Sequence, residues 1–313
     1  MAKLALPVVD LRDARSDDAD ARARFVSTLG HALETWGFVA VTGHGVPETL
    51  LAQTYAAAAA FFAQPLETKA RWEFPETGRQ RGYTGFGVEH ARDTAVADLK
   101  EFWQLGRDLG ADHPLHRDGT LLRNVVPASD APFHTLTTAL FTALDGFAMD
   151  LLDAIARYLD LDADTLVEAT RVGNSVLRVI HYPPLGSDAP VGAVRSAAHE
   201  DINLLTVLPA STQPGLELLD KESGAWLSIT TPPNVMICDT GDIMARLTGG
   251  RLKSTTHRVV NPPSADNVAR YSMPYFCHPR TDFVIDRGDG TAEPLTAGAF
   301  LRQRLIANGV LRA

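Results

Sequence analysis

The feature that most limits the fold is a change of texture near Gly173. Downstream, short β-prone runs follow one another: Ser175–His181, Asn203–Leu208, Gly215–Leu219, Val235–Asp239, Thr255–Val260 and Ala269–Phe276. Pro, Gly, Asn and Asp separate them, as turn residues separate strands. Many short strands at near-regular spacing build a sandwich or a barrel. Upstream, apolar residues recur at helical intervals. Residues 18–36 read as one helix ending at Gly37, and 47–63 as another, with Pro47 suited to a first turn. The strongest period runs from Pro132 to Leu159. There Phe133, Leu136, Leu140, Leu144, Phe147, Leu151 and Ile155 form one stripe, and Ser129 or Asp130 caps the start. Leu6–Asp10 and Phe38–Thr42 look like strands lent by the N-terminal half, and a last helix spans about Ala297–Ile306. The expectation is an α+β chain, mainly β with helices, in which a β-barrel core is wrapped by helices.

With 313 residues the chain can bury one large core, or a main domain with an appendage. Its net charge of −9 and scattered basic residues argue against nucleic acid as a partner, because phosphate binding needs a basic footprint. A small anionic substrate in a locally basic pocket remains open. The opening MAKLALPVVDLRD lacks the length and cleavage pattern of a signal peptide. The longest apolar run, Tyr55–Ala63, is too short to span a bilayer. A cytoplasmic protein with no membrane partner is expected. Cys238 and Cys277, both in apolar contexts, read as buried free thiols.

His-x-Asp occurs twice, at His116–Asp118 and His199–Asp201. Alone it is a weak signal. His116 sits among Pro, Gly and charged residues and reads as part of a solvated loop with a structural role. His199 adjoins the strand-like run INLLTVLP, where residues two apart share a face. That places His199 and Asp201 together toward the interior and Glu200 away. His257, 56 residues after Asp201 and at the start of a β-branched run, can supply a second imidazole. Two histidines and one carboxylate leave an octahedral face open, the arrangement iron(II) oxygen chemistry needs. A zinc-protease reading fails, because H-E-x-x-H requires a histidine that HED lacks.

Arg270-Tyr271-Ser272 is the only Arg-x-Ser in the chain and lies 13 residues after His257. On a strand Arg270 and Ser272 share a face. A guanidinium grips a carboxylate through two parallel hydrogen bonds, and a serine hydroxyl adds a third. If the two last long β runs are hairpin partners, His257 and Arg270 line one cavity.

These residues together resemble the isopenicillin N synthase-like family of 2-oxoglutarate/Fe(II)-dependent dioxygenases. The resemblance rests on His199-Glu200-Asp201, Thr206, His257-Arg258-Val259-Val260-Asn261 and Arg270-Tyr271-Ser272. It extends upstream through Leu6–Asp10, Trp36-Gly37-Phe38, Gly43–Pro47, Leu99–Phe102 and Tyr182-Pro183-Pro184, in family order. It implies a distorted double-stranded β-helix (jelly roll) core flanked by helices. The chain would divide into a non-haem dioxygenase N-terminal region, 1–125, and an oxygenase jelly-roll domain with its supporting helix, 126–313, in one compact unit. Iron(II) falls on His199, Asp201 and His257, and 2-oxoglutarate on Arg270, Ser272 and Tyr182, with O2 as the second cosubstrate. No catalytic group beyond the metal centre is implied, and His44 matches a structural turn. Departures are Ile180, where plant members often have Asn, and a longer loop between His257 and Arg270.

The implied reaction oxidises a small molecule, most often by hydroxylation, with release of succinate and CO2. Arg81, Tyr83 and Phe86 in RQRGYTGFG, and Phe276, are candidate substrate contacts. Three alternatives stay open at this stage: a related Fe(II) oxidase that does not use 2-oxoglutarate, an ethylene-forming enzyme, and a non-catalytic ligand-binding jelly roll. The substrate and the oligomeric state are not encoded legibly.

Overall fold

Each expected β run contains at least one strand, and each helical period a helix. The computed structural model describes residues 2–307 apart from 90–95, 128–129, 163, 187–189, 191, 232–233 and 287–293. In chain order the strands are β1 (Lys3–Ala5), β2 (Val8–Asp10), β3 (Phe38–Thr42), β4 (Gly82–Thr84), β5 (Glu101–Gly106), β6 (Val176–Tyr182) and β7 (Ser196–His199). They continue with β8 (Leu205–Pro209), β9 (Leu216–Leu219), β10 (Trp226–Thr230), β11 (Met236–Thr240), β12 (His257–Val259), β13 (Arg270–Ser272) and β14 (Tyr275–Cys277). Val284–Asp286 and Leu295–Thr296 form a separate small hairpin.

The strands build two sheets. The smaller has the order β1-β10-β9-β12-β7, and the larger β2-β3-β11-β8-β14-β6-β5-β4, with β13 also paired to β6. This is the jelly roll with flanking helices. Two expected strands are each broken by a proline, which has no N–H to give a ladder. Of Leu6–Asp10 only Val8–Asp10, after Pro7, is strand: this β2 joins β3 in the larger sheet, while β1, ahead of the expected run, joins β10 in the smaller. Ala269–Phe276 divides at Met273-Pro274 into β13 and β14.

The long helix runs Ala131–Tyr158, and Asp130 caps it by accepting the Phe133 N–H at 3.3 Å. Ser129, the other expected cap, lies outside the described residues. Of the apolar stripe, all but Leu136 are buried. The helix packs on the helices Ala19–Thr35 and Glu48–Phe62 and on the larger sheet. One core cluster runs from Val9 through Leu29, Phe61, Leu144 and Leu205 to Phe300. Each such side chain stabilises the fold by about 1.5–3 kcal/mol relative to exposure. The helical layer therefore pins one sheet rigidly, leaving the barrel interior and its mouth to carry polar groups. Cys238 and Cys277 are buried and unbridged. No helix among the described residues is long and apolar enough to cross a membrane.

Candidate metal and cosubstrate site

His199 and His257 meet because their strands pair. β7 and β12 run antiparallel with the two histidines directly opposite, which puts their side chains on one face. Their ring centroids are 4.4 Å apart. Asp201 arrives differently from the expectation that it shares a strand with His199. β7 stops at His199, and Asp201 stands in the turn before β8. That turn is held from both sides. The Asp201 carbonyl accepts the Asp242 N–H at 2.8 Å, Thr206 donates its hydroxyl to Oδ2, and Asn203 donates to the Thr206 oxygen at 2.9 Å.

Oδ1 of Asp201 lies 3.8 Å from Nε2 of His199 and 3.8 Å from Nε2 of His257. All three donors fall within 4.8 Å of one another. An ion set equally among them has contacts of roughly 2–2.5 Å, close to metal–nitrogen and metal–oxygen bond lengths. The two rings are oriented alike. Nδ1 of His199 meets the Ala197 carbonyl at 2.7 Å, and Nδ1 of His257 meets the Thr255 carbonyl at 3.2 Å. With the proton on Nδ1, each Nε2 keeps its lone pair toward Asp201. Enclosure in the barrel, reinforced by His257, lowers the His199 pKa to about 4, so the ring is neutral and able to bind a metal. Burial and the neighbouring Asp201 push Asp239 of β11 well above the usual carboxylate range. Glu200 turns away and accepts the Thr256 hydroxyl.

The other His-x-Asp holds no such cluster, although His116 is not in a solvated loop. It is buried in the short helix Pro114–Arg117, with Nδ1 2.9 Å from the Leu121 carbonyl and Nε2 accepting the Leu109 N–H at 3.2 Å. The charged sequence around it is surface; the imidazole is a strut inside. His44 likewise ties its own turn by accepting the Val46 N–H at 3.1 Å.

Arg270 and His257 are not on a hairpin. β12 pairs with β7 and β9, while β13 pairs with β6, so the two residues come from opposite sheets. Arg270 lies opposite Tyr182, and Ser272 opposite Ile180. Arg270 is buried. Its Nε donates to the Gln213 carbonyl at 3.0 Å and its Nη2 to Ser211 Oγ at 2.8 Å. Ser211 Oγ is in turn 3.2 Å from Ser272 Oγ, and the guanidinium carbon is 5.0 Å from the Tyr182 ring centroid. Nη1 of Arg270 is buried with no hydrogen-bond partner. An orphaned charged donor of this kind is costly unless a ligand satisfies it, and a carboxylate fits the geometry. Sequence reading misses Ser211, which no motif marks.

A cavity of about 310 Å³ opens beside His199 and Asp201. Arg178 and Phe102 line it from β6 and β5, and Phe276 and His278 from the β14 end. The Arg178 guanidinium lies between two rings, 4.2 Å from the Phe102 centroid and 5.5 Å from that of Phe276. It donates to Glu89 and to Gln104 Oε1, each at 3.1 Å. Lys100 pairs with Asp98 and Glu89, each at 2.8 Å. Burial acts to raise Glu89, but Arg178 and Lys100 outweigh it and hold the carboxyl at about 2. Burial likewise lowers His278 to about 4.

Of the four candidate substrate contacts, Phe276 lines this cavity and Arg81, Tyr83 and Phe86 do not. Arg81 is buried and donates to Asn174 Oδ1 at 2.9 Å. Alternation along β4 turns Tyr83 into the core, where its hydroxyl donates to Glu101, and turns Thr84 to the cavity. Phe86 is half exposed. Arg79, Gln80 and Val88 of the same region reach the cavity instead. Arg178 has a legible signal, a lone cation in an apolar strand with the same parity as Tyr182.

Comparison with known proteins agrees with this geometry. Residues 6–129 match the family model described as non-haem dioxygenase in morphine synthesis N-terminal, and residues 173–279 match that of the 2OG-Fe(II) oxygenase superfamily. The 2-oxoglutarate-Fe(II) type oxidoreductase hxnY of Emericella nidulans is 32% identical over 290 residues, covering 91% of this chain and 82% of that one. This chain belongs to the 2-oxoglutarate/Fe(II)-dependent dioxygenases. Among solved structures, a 2OG-Fe(II) oxygenase family protein of Caulobacter crescentus superposes with a TM-score of 0.83 at 38% identity, covering 96% of this chain and 98% of that one. A full-length Neurospora crassa protein, solved in complex with alpha-KG and thymine, gives 0.82 at 27% identity, with 96% of each chain covered. As a dioxygenase of this family the protein uses Fe(II), 2-oxoglutarate and O2.

Proposed function

We propose that this dioxygenase hydroxylates a small polar molecule at iron(II) held by His199, Asp201 and His257, with 2-oxoglutarate anchored by Arg270, Ser272 and Tyr182. One observation carries the reading: the three-donor cluster sits beside the cavity, while a buried guanidinium in the opposite sheet has an N–H without a partner. When bound, iron(II) and 2-oxoglutarate supply the oxidation, one oxygen atom of O2 passing to succinate and one to product as CO2 leaves. The protein's part is orientation and exclusion of water. Asp201 is the single anionic ligand, and the two imidazoles are locked by the Ala197 and Thr255 carbonyls. Phe102 and Phe276 give the cavity apolar walls, and Arg178 and Lys100 give it fixed charge. The thymine bound by the Neurospora crassa protein supports a substrate of small-molecule size. Two buried free thiols support a reducing compartment, and the cytoplasm is the one proposed.

The test begins without oxygen. Adding iron(II) and then 2-oxoglutarate to the full chain should produce the visible charge-transfer band of a chelated keto acid. Asp201→Ala and His257→Ala should abolish it. Aerobic turnover with a panel of small polar metabolites, pyrimidines included, should then release succinate. A wild-type protein that binds iron(II) yet gives no band would refute the reading. Iron-dependent substrate oxidation without succinate would move it to an oxidase that does not use 2-oxoglutarate.

A further inference from the structure

Arg195 is a second buried guanidinium near the one the family motif supplies. It stands one residue before β7, and parity puts its side chain on the same face as Ala197 and His199. It is 1% exposed and ranks with Trp103 and Tyr83 among the largest fully buried side chains. Its backbone N–H donates to Asn261 Oδ1 at 3.0 Å, and its Nη2 donates to the Val268 carbonyl at 2.5 Å. Val268 is two residues before Arg270, so the two arginines converge on one stretch of chain. Nε of Arg195 is buried without a partner, as is Nη1 of Arg270. Burial, then the charge of Arg270, lowers the pKa of Arg195.

Two of the other buried cations and the partly buried Arg107 are each matched by a carboxylate, whereas the buried Arg81 rests on Asn174 and the Gln80 carbonyl. Lys69 meets Glu101 at 2.8 Å, Lys100 meets Asp98 at 2.8 Å, and Arg107 meets Asp145 at 2.6 Å. Neither Arg195 nor Arg270 has a carboxylate partner among the hydrogen bonds of the described residues. Each instead leans on carbonyl or hydroxyl oxygens. Two neighbouring cations out of water repel each other and lose hydration, which is destabilising unless an anion arrives. Two orphaned N–H groups on two guanidiniums suit the two oxygens of one carboxylate.

We propose that Arg195 grips the distal carboxylate of 2-oxoglutarate together with Arg270, and so sets the preference for a dicarboxylic keto acid. The inference rests on the cosubstrate site proposed above. The competing role is a strut, in which Arg195 only ties β7 to the Val268 carbonyl.

Calorimetric titration of the full chain loaded with Mn(II), which does not turn over, separates them. Two ligands are compared: 2-oxoglutarate and 2-oxopentanoate, which keeps the keto acid but lacks the far carboxylate. Arg195→Met should weaken 2-oxoglutarate about tenfold to a hundredfold and change 2-oxopentanoate less than about twofold. Arg195→Lys keeps the charge but loses the fork; it should fall between wild type and Met for 2-oxoglutarate only, and it carries the test if the Met variant does not fold. Equal loss for both ligands assigns the strut and overturns the proposal, as does unchanged 2-oxoglutarate affinity in the variants. A wild-type protein with no preference between the ligands overturns the cosubstrate reading itself, a result distinct from either.

Discussion

Thr206 hands its hydroxyl hydrogen to Asp201 and takes one from Asn203, so one oxygen fixes which way the only anionic donor of the cluster points. Thr206→Val keeps the shape and removes both bonds. We expect metal affinity to fall by about 10- to 100-fold, the usual effect of removing a group that orients a ligand, with the far-UV signature of the fold unchanged. Titration with Co(II) measures it, and an unaltered affinity would mean that the turn alone positions Asp201. His278 poses a different question. Its pKa is lowered from 6.5 to about 4 by burial, so the folded state holds it neutral while the unfolded chain takes up a proton below about pH 6.5. The unfolded state then binds more protons, and stability declines as pH falls from about 6.5 toward 4. The loss is at most about 3 kcal/mol, and less where cavity water solvates the ring. His199, also lowered to about 4, adds a loss of stability in the same window, so His278→Gln should reduce but not abolish the slope of urea-unfolding stability there; an unchanged slope would place the titration elsewhere.

At the scale of elements, legibility in the sequence follows length and periodicity. The helix Ala131–Tyr158 is readable because its stripe repeats over 28 residues, and Phe38–Thr42 is readable as a short run weighted by Phe38, Val39, Val41 and Thr42. β7 is not, because Ser196-Ala197-Ala198-His199 has no β-branched or aromatic weight. Its strand character comes from pairing with β12. The hairpin expected between the strands of His257 and Arg270 is absent for a related reason. Neighbours in sequence can belong to opposite sheets of a jelly roll, and nothing local records the crossover. The residue types of the site survive this error, since a ligand set depends on which side chains converge and not on which strands pair. The turn carrying Asp201 also depends on Gly241, at the start of the helix Asp242–Leu247. A Cβ there would come within 2.5 Å of the Asn203 carbonyl and 2.7 Å of the Asp201 carbonyl. Both are backbone atoms and cannot swing aside. Gly241→Ala should therefore displace the Asp201 turn, cost about 1–3 kcal/mol in thermal or urea unfolding, and weaken metal binding as well. Loss of stability with metal affinity intact would show that the strain relaxes into the helix instead.

For the whole molecule, the question is whether residues 1–125 and 126–313 are separable. β2 and β3 complete the larger sheet beside β11, and β1 extends the smaller one beside β10. β5 pairs along its full length with Val176–His181 of β6, the strand that carries Arg178 and Tyr182. Glu101 of β5 gathers Lys69 at 2.8 Å, His181 at 2.8 Å and the Tyr83 hydroxyl in one buried network. Cutting near residue 125 would leave His181 without its carboxylate, strand β6 without a neighbour on that side, and much of the core cluster facing water. The expected behaviour of the intact chain is a single cooperative unfolding transition. Mn(II) with 2-oxoglutarate at about a hundred times its Kd should move that whole transition up by roughly 5 °C, from a linkage energy of about 2.7 kcal/mol. Residues 126–313 alone should bind 8-anilinonaphthalene sulfonate and show no such shift. If calorimetry instead resolves two transitions and only the second moves with ligand, the N-terminal region is a separate unit. The site would then owe its geometry to the jelly roll alone.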